Sequence, residues 1–255
     1  MKRIVQGNNK KCKFGCIYCF TKENYQTNGQ KPLNELELQD VELIQPFSDY
    51  DVFACEGCNW ENEINSFIKY NKIISFATKA QITEQMACVL SNINRKLMTR
   101  AAFLHIGISI STIKNIQEVE PRTTSIEKRI DGLKELYQYN IPCSVIIRPV
   151  LPTLDNEEIE NIVKQTYQYC NNYIYGPLYL NTEIEKYLKD KGYQITKKPH
   201  RVNWRNGSPI CYIYESEEQK KEIKKCCNMY GKKTFSSNAD AVNNIKMTLS
   251  SNKQI

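Results

Sequence analysis

The sequence lacks any run of about eighteen apolar residues, so nothing in it reads as a transmembrane helix. The opening stretch, Met1-Lys2-Arg3-Ile4-Val5-Gln6-Gly7, has positive charge but no apolar segment behind it. No secretory signal is expected from that pattern, and the cytoplasm is the expected location. Internal repeats and low-complexity tracts are also missing. Hydrophobic residues make up 41% and charged residues 25% of the 255, which argues against a disordered chain. A chain of this length can bury a core without covalent staples. It fits one large α/β domain, or one domain with a small appendage.

Cysteine is plentiful, at eleven residues. In a secreted protein that count would suggest disulfides with one thiol over. In a reducing compartment it points to metal-binding or catalytic thiols. Cys88 and Cys143 lie in apolar runs, where buried free cysteines are expected. Positive charge is also in excess, with 35 Lys and Arg against 28 Asp and Glu, a net of +7. Much of it falls late. Lys197, Lys198, Arg201 and Arg205 surround Trp204, and Lys220, Lys221, Lys224 and Lys225 are followed by Lys232 and Lys233. Such groups suit phosphate contact, and equally suit an ordinary solvated surface. Of the two histidines, His105 sits in an apolar run and reads as a core residue, whereas His200 sits in a basic loop and is expected to be exposed.

Short β-rich runs alternate with helical patterns, which predicts βα units and a parallel sheet. Strands are expected at Arg3 to Val5, Asp51 to Ala54, Lys72 to Ala77, Leu104 to Ile110, Pro142 to Val150 and Tyr173 to Leu180. Helices are expected near Thr83 to Asn92, at Ser125 to Tyr139 with Ser125 as N-cap, at Asn156 to Tyr169 and at Thr182 to Lys191. Six such units predict an α/β fold, a partial (βα)6 barrel of parallel strands, in which ligands sit at the C-terminal strand ends. The rhythm changes after Gly192. Residues 1–192 are therefore read as the barrel domain and 193–255 as a C-terminal extension. The extension holds a strand-like run, Ile210 to Tyr214, a helix, Glu217 to Met229, and a tail with few signals after Ser236.

The loop after the first strand reads Cys12-Lys13-Phe14-Gly15-Cys16-Ile17-Tyr18-Cys19-Phe20. Three thiolates within eight residues can converge on one metal centre. Structural zinc needs four ligands, and no fourth lies close by in sequence. A cubane cluster needs four iron ligands, so three cysteines leave one iron open. The loop resembles the signature of the radical S-adenosylmethionine superfamily, in Cys12, Cys16 and Cys19, in Tyr18 just before the last cysteine, and in Phe20 after it. The resemblance implies a [4Fe–4S] cluster on Cys12, Cys16 and Cys19, with S-adenosylmethionine on the open iron. It also implies reductive cleavage to a 5′-deoxyadenosyl radical that takes hydrogen from a substrate. A flavodoxin or ferredoxin is the implied reductant.

Later segments extend the likeness. Ser109-Ile110-Ser111-Thr112, then Glu120-Pro121-Arg122, the helix bearing Arg129, and Ile146-Ile147-Arg148-Pro149-Val150-Leu151-Pro152 resemble the spore photoproduct lyase-like branch over about residues 3 to 155. The cofactor-binding candidates that follow are Tyr18, Glu56, Gly57, Thr78, Lys79, Ser109, Ser111, Glu120, Arg122 and Arg148. Glu120, Arg122 and Arg129 are expected to form an ionic cluster, and Arg148 to meet a buried partner such as a carboxylate. The turn Cys55-Glu56-Gly57-Cys58 departs from the superfamily's Gly-Gly-Glu pattern. Cys55 and Cys58 read as free thiols, half of an auxiliary metal site, or a redox pair; free thiols need the fewest further ligands. The branch uses a cysteine and tyrosines of its C-terminal half as a hydrogen relay. Cys211, Cys226 and Cys227 are the thiol candidates here, beside Tyr212 and Tyr214. Cys226 and Cys227 stand in a Lys-rich helix, where cations would lower a thiol pKa. Together with Cys211 they suggest, alternatively, a second cluster. Three functions follow: a radical enzyme acting on a nucleic-acid base, one acting on a peptide or small molecule, or a zinc-binding module.

Overall fold

The structure is a computed structural model and describes residues 1–7, 10–21, 38–202 and 210–251. Trp204 and Arg205 of the basic loop lie outside these. Its strands are β1 (Arg3–Val5), β2 (Leu43–Gln45), β3 (Ile73–Thr78), β4 (Leu104–Ser109), β5 (Cys143–Ile147), β6 (Asn172–Tyr175), β7 (Leu178–Tyr179), β8 (Lys198–Arg201), β9 (Ile210–Tyr214) and β10 (Lys233–Phe235). Its helices are α1 (Trp60–Asn65), α2 (Glu84–Met98), α3 (Ile116–Val119), α4 (Ile126–Gln138), α5 (Asn156–Thr166), α6 (Thr182–Asp190), α7 (Glu217–Met229) and α8 (Asn238–Ser251). None of them is long and apolar enough to cross a membrane.

Seven strands, ordered β1-β2-β3-β4-β5-β6-β10, form a parallel curled half-barrel in an α/β fold. A second sheet, β7-β9-β8, is antiparallel. The outward residues of β4 and β5, Leu104, Ile106, Ile108, Val145 and Ile147, are fully buried under the helices. The helices start on side-chain caps: Thr83 accepts from Met86 N, Ser125 from Lys128 N and Asp155 from Glu158 N.

The inward residues build a floor. Ser75 Oγ meets His105 Nδ1 at 2.7 Å, and His105 Nε2 meets Ser144 Oγ at 2.9 Å. Asn238 Nδ2, at the start of α8, donates to Ser75 Oγ at 2.8 Å. His105 is thus a satisfied core residue, and burial pushes its pKa down to about 3. Ala239 and Val242 of α8 pack with Leu43, Ile73 and Phe103, and Ala241 packs with Ile146 and Ile174, so α8 fills the lower lumen.

Several expectations change. The second strand is Leu43–Gln45 rather than Asp51 to Ala54. Asp51 accepts from Phe53 N at 3.0 Å and turns the chain into a short 3-10 helix, Val52–Ala54. The run from Tyr173 to Leu180 divides at Gly176 and Pro177 into β6 and β7, which enter different sheets. A seventh barrel strand, β10, forms between the helix ending at Met229 and Ser236, where no element is expected, and helix α8 comes from the tail with few signals. Cys88 is exposed, because its helical position turns it away from buried Ala87 and Leu90. His200 is half-buried, its ring against Tyr179.

Candidate active site

The loops that follow β1 to β6 all open at one end of the half-barrel. The cysteine loop crosses that mouth. Gly15 turns it at φ +63°, and a Cβ there would overlap the Arg122 guanidinium, which covers the Gly15 peptide. The loop is held from three sides. Lys13 N donates to Ala54 O at 2.9 Å, and Ile17 N to Val119 O at 3.0 Å. Asn181 Nδ2 donates to Ile17 O at 3.0 Å and Cys19 O at 3.3 Å, while Asn181 Oδ1 caps α6 through Ile184 N. Sequence reasoning missed Asn181; an N-cap asparagine is legible, but its second task needs contact across more than 160 residues.

Cys16 is buried, and Cys12 and Cys19 are half-buried. Burial pushes the Cys16 thiol up to about 12, with Lys79 pulling the other way and the charges of Cys19 and Cys12 adding to the rise. Burial likewise raises Cys12. Cys19 Sγ lies 3.0 Å from Thr21 Oγ1. Among the described residues, no three His, Cys, Asp or Glu side chains converge closely enough to hold a single metal ion. A cubane takes one thiolate per iron, which spreads its ligands wider than a mononuclear site does. Three desolvated thiols of one loop, electrostatically in reach of one another, fit such a cluster as a donor set. Metal coordination is what would hold Cys12 and Cys16 as thiolates against the burial that favours the thiol.

Behind the loop is a buried network. Tyr18 Oη donates to Glu120 Oε1. Arg129, fully buried, donates to Glu120 Oε2 at 2.5 Å and to Ser109 O at 2.9 Å, and also bonds Thr124 O and Thr123 Oγ1. Lys79 Nζ stands 3.4 Å from Glu120 Oε1 and donates to Ser109 Oγ and, at 3.5 Å, to Ser111 Oγ. Burial alone would raise the Glu120 pKa. Lys79 and Arg129 outweigh it and hold the carboxyl below its usual range. Burial and the neighbouring Glu120 raise Tyr18 far above the phenol range. Asp51 fixes the base of Lys79, accepting from Lys79 N and Thr78 Oγ1, each at 2.8 Å. Burial nevertheless raises the Asp51 pKa. Glu158, also unforeseen, accepts from Thr112 Oγ1 at 2.7 Å and Lys114 N at 3.0 Å and anchors the loop after β4.

Tyr18, Thr78, Lys79, Ser109, Ser111 and Glu120 are therefore brought together. Arg122 is not in the ionic cluster: it is exposed and turned to Gly15, and Lys79 takes its expected place beside Glu120. Arg148 reaches the mouth but meets no carboxylate among the described residues; its side chain lies over Gly176. Glu56 and Gly57 are exposed, in the turn of a Cys55–Cys58 disulfide with Cα atoms 5.4 Å apart. The free-thiol reading gives way here, since two cysteines of one tight turn are within bonding reach. Cys12 pairs with Cys55 through a β-bridge, so the disulfide borders the cysteine loop.

The C-terminal thiols are elsewhere. Cys226 and Cys227 are buried on α7, which packs on α5; Cys227 is close to Cys170 and Tyr173 on the outer side of β6. Burial raises both, Cys226 to about 11, which reverses the expectation that the lysines would lower them. Lys220 and Lys225 are paired with Glu215, Glu217 and Glu222. Cys211 is buried in β9 against Val202 and Ile213, with Sγ 3.5 Å from His200 O.

No family model matches the chain. An uncharacterised protein of Methanocaldococcus jannaschii is 32% identical over 97 residues, a match that spans 36% of this chain and 37% of that protein. Among solved structures, a variant of spore photoproduct lyase superposes with a TM-score of 0.59 at 12% identity, covering 92% of this chain and 76% of the other. Another, with bound S-adenosylmethionine and dinucleoside spore photoproduct, gives 0.56 at 13% identity, covering 92% and 82%. At such identity the likeness establishes the fold.

Proposed function

We propose that this chain is a radical S-adenosylmethionine enzyme. The observation that carries the reading is the position of Cys12, Cys16 and Cys19, on one loop across the C-terminal mouth of a parallel half-barrel. The three thiolates hold a [4Fe–4S] cluster and leave one iron for S-adenosylmethionine. Bound there, the pair supplies reductive cleavage of S-adenosylmethionine and with it a radical that takes hydrogen from the substrate. The residues of the chain orient and shield. Lys79, steered by Asp51 and balanced by Glu120, presents its ammonium to the methionine carboxylate. Ser109 and Ser111 offer hydroxyls beside it. Tyr18 closes the pocket under the loop and keeps water from it. Thr78 and Arg129 position these groups. A flavodoxin- or ferredoxin-type protein provides the electron. The substrate is a nucleic-acid base, to be repaired or modified; the likeness in fold to a lyase solved with a dinucleoside photoproduct supports this, as does the excess of positive charge.

Anaerobic reconstitution tests the chemistry. The expected product is a brown protein with about four irons, the count of one cubane, which forms 5′-deoxyadenosine from S-adenosylmethionine once reduced. Cys16→Ala should remove both colour and cleavage. A wild-type protein that stays colourless and inactive after iron and sulfide are supplied would sink the proposal.

A further inference from the structure

The Arg148 guanidinium makes no hydrogen bond and no ion pair among the described residues, although it sits at the C-terminal end of the sheet. Its direction follows from strand alternation. Ser144 and Ile146 face the lumen, the first on His105 and the second against Ile174 and Ala241. Arg148 is the next residue of that series. Its backbone is fixed on both sides. Ser111 Oγ donates to Arg148 O at 2.9 Å, and Val150 N donates to Gly176 O at 3.0 Å. Gly176 makes the seat, because a Cβ there would stand 2.6 Å from Arg148 Nε. A second guanidinium stands on the lumen side of β1, where Arg3 is in register with Leu43, which packs on α8. Arg3, on β1, donates to Gln45 Oε1 at 3.1 Å. Its pKa is lowered, first by burial and then by the charge of Arg148, while Asp240 and Tyr179 act in the opposite sense.

S-adenosylmethionine has one carboxylate, which Lys79 serves, so Arg148 remains for another anion. Taking the half-barrel mouth as the reaction chamber of the function proposed above, we infer that Arg148, seated on Gly176, binds a phosphate group of the substrate, with Arg3 as the second cation across the lumen. A guanidinium is a planar fork whose parallel N–H donors match two oxygens of one anion. A carboxylate would fill one such fork. A phosphate has oxygens on more than one side and can face two guanidiniums on opposite walls.

The probe is inorganic phosphate, titrated into the full-length protein at constant ionic strength and followed by phosphorus NMR. Wild type should bind it saturably. Arg148→Gln should weaken binding about tenfold, as loss of a charge-assisted pair does. Gly176→Ala keeps the charge but displaces the guanidinium, and should weaken binding too; it decides the matter if Arg148→Gln does not fold. Lys134→Gln, on the exposed face of α4, should bind as wild type does. Equal binding by wild type and both seat variants would overturn the inference, as would acetate that binds more tightly than phosphate. Formation of 5′-deoxyadenosine is measured on the same samples. Cleavage without phosphate binding removes the anion site alone. Phosphate binding without any cleavage upholds the site and removes the radical reading.

Discussion

Glu120 is 1% exposed, and its two oxygens meet Tyr18, Arg129 and Lys79. A buried carboxylate is tolerable only with such partners. Removing one leaves a charge that burial penalises, which typically costs about 3–5 kcal/mol. Arg129→Met is therefore expected to lower the unfolding free energy by about that amount, read from urea denaturation; a loss below about 1 kcal/mol would show that Lys79 alone suffices. His105 makes a second prediction at this scale. Its folded pKa, about 3, lies below the ordinary 6.5. The unfolded chain therefore binds the extra proton first as pH falls. The stabilisation is complete above about pH 6.5 and is lost as the pH drops toward about 3. The urea midpoint of wild type should fall between pH 7.5 and pH 5, and His105→Gln should flatten that dependence; parallel pH profiles would refute the assignment.

Two elements decide whether the mouth keeps its shape. The start of α6 does so through Asn181, which caps the helix and ties two carbonyls of the cysteine loop. Asn181→Ala should cost about 1 kcal/mol as a lost cap. Its larger expected effect is on the reconstituted cluster, which a chelator should bleach several-fold faster than in wild type. Unchanged bleaching would mean that the loop is held by its backbone bonds alone. Helix α8 acts from below. Without it, Leu43, Ile73, Phe103, Ile146 and Ile174 would line an open cavity. A chain ending at Ser236 is expected to aggregate or unfold without a sharp transition. A soluble, cooperatively folding truncation would contradict the packing role given to α8.

At the scale of the whole molecule, charge is the observable. A net of +7 makes binding to nucleic acid a screened, counterion-releasing equilibrium if it occurs on this surface. For a footprint of about four phosphates on a single strand, affinity should fall about sevenfold for each doubling of salt. Fluorescence anisotropy with a labelled oligothymidylate at two salt concentrations measures this. No binding at low salt would exclude the nucleic-acid substrate while leaving the cluster chemistry intact.

Local order was legible in the sequence wherever one residue's neighbours in the chain determine its state. The Cys12–Cys19 spacing, the capped helices led by Thr83, Ser125 and Asp155, and the β-branched strands β3, β4 and β5 are of this kind, since their periodicity and turn chemistry lie within a single window. So were Lys79, Ser109 and Ser111, as polar residues at strand ends, and Glu120, through the resemblance of the Glu120-Pro121-Arg122 turn. Other features were decided only by the tertiary structure. The three-residue strands β2 and β10 are too short to show alternation and exist because a neighbouring strand pairs with them. The weak pattern of α8 becomes a helix because its small residues fit the lumen. Lys79 replaces Arg122 beside Glu120, and Arg148 meets no carboxylate among the described residues, because ion pairs form between a strand end and a loop that only the tertiary fold brings into reach.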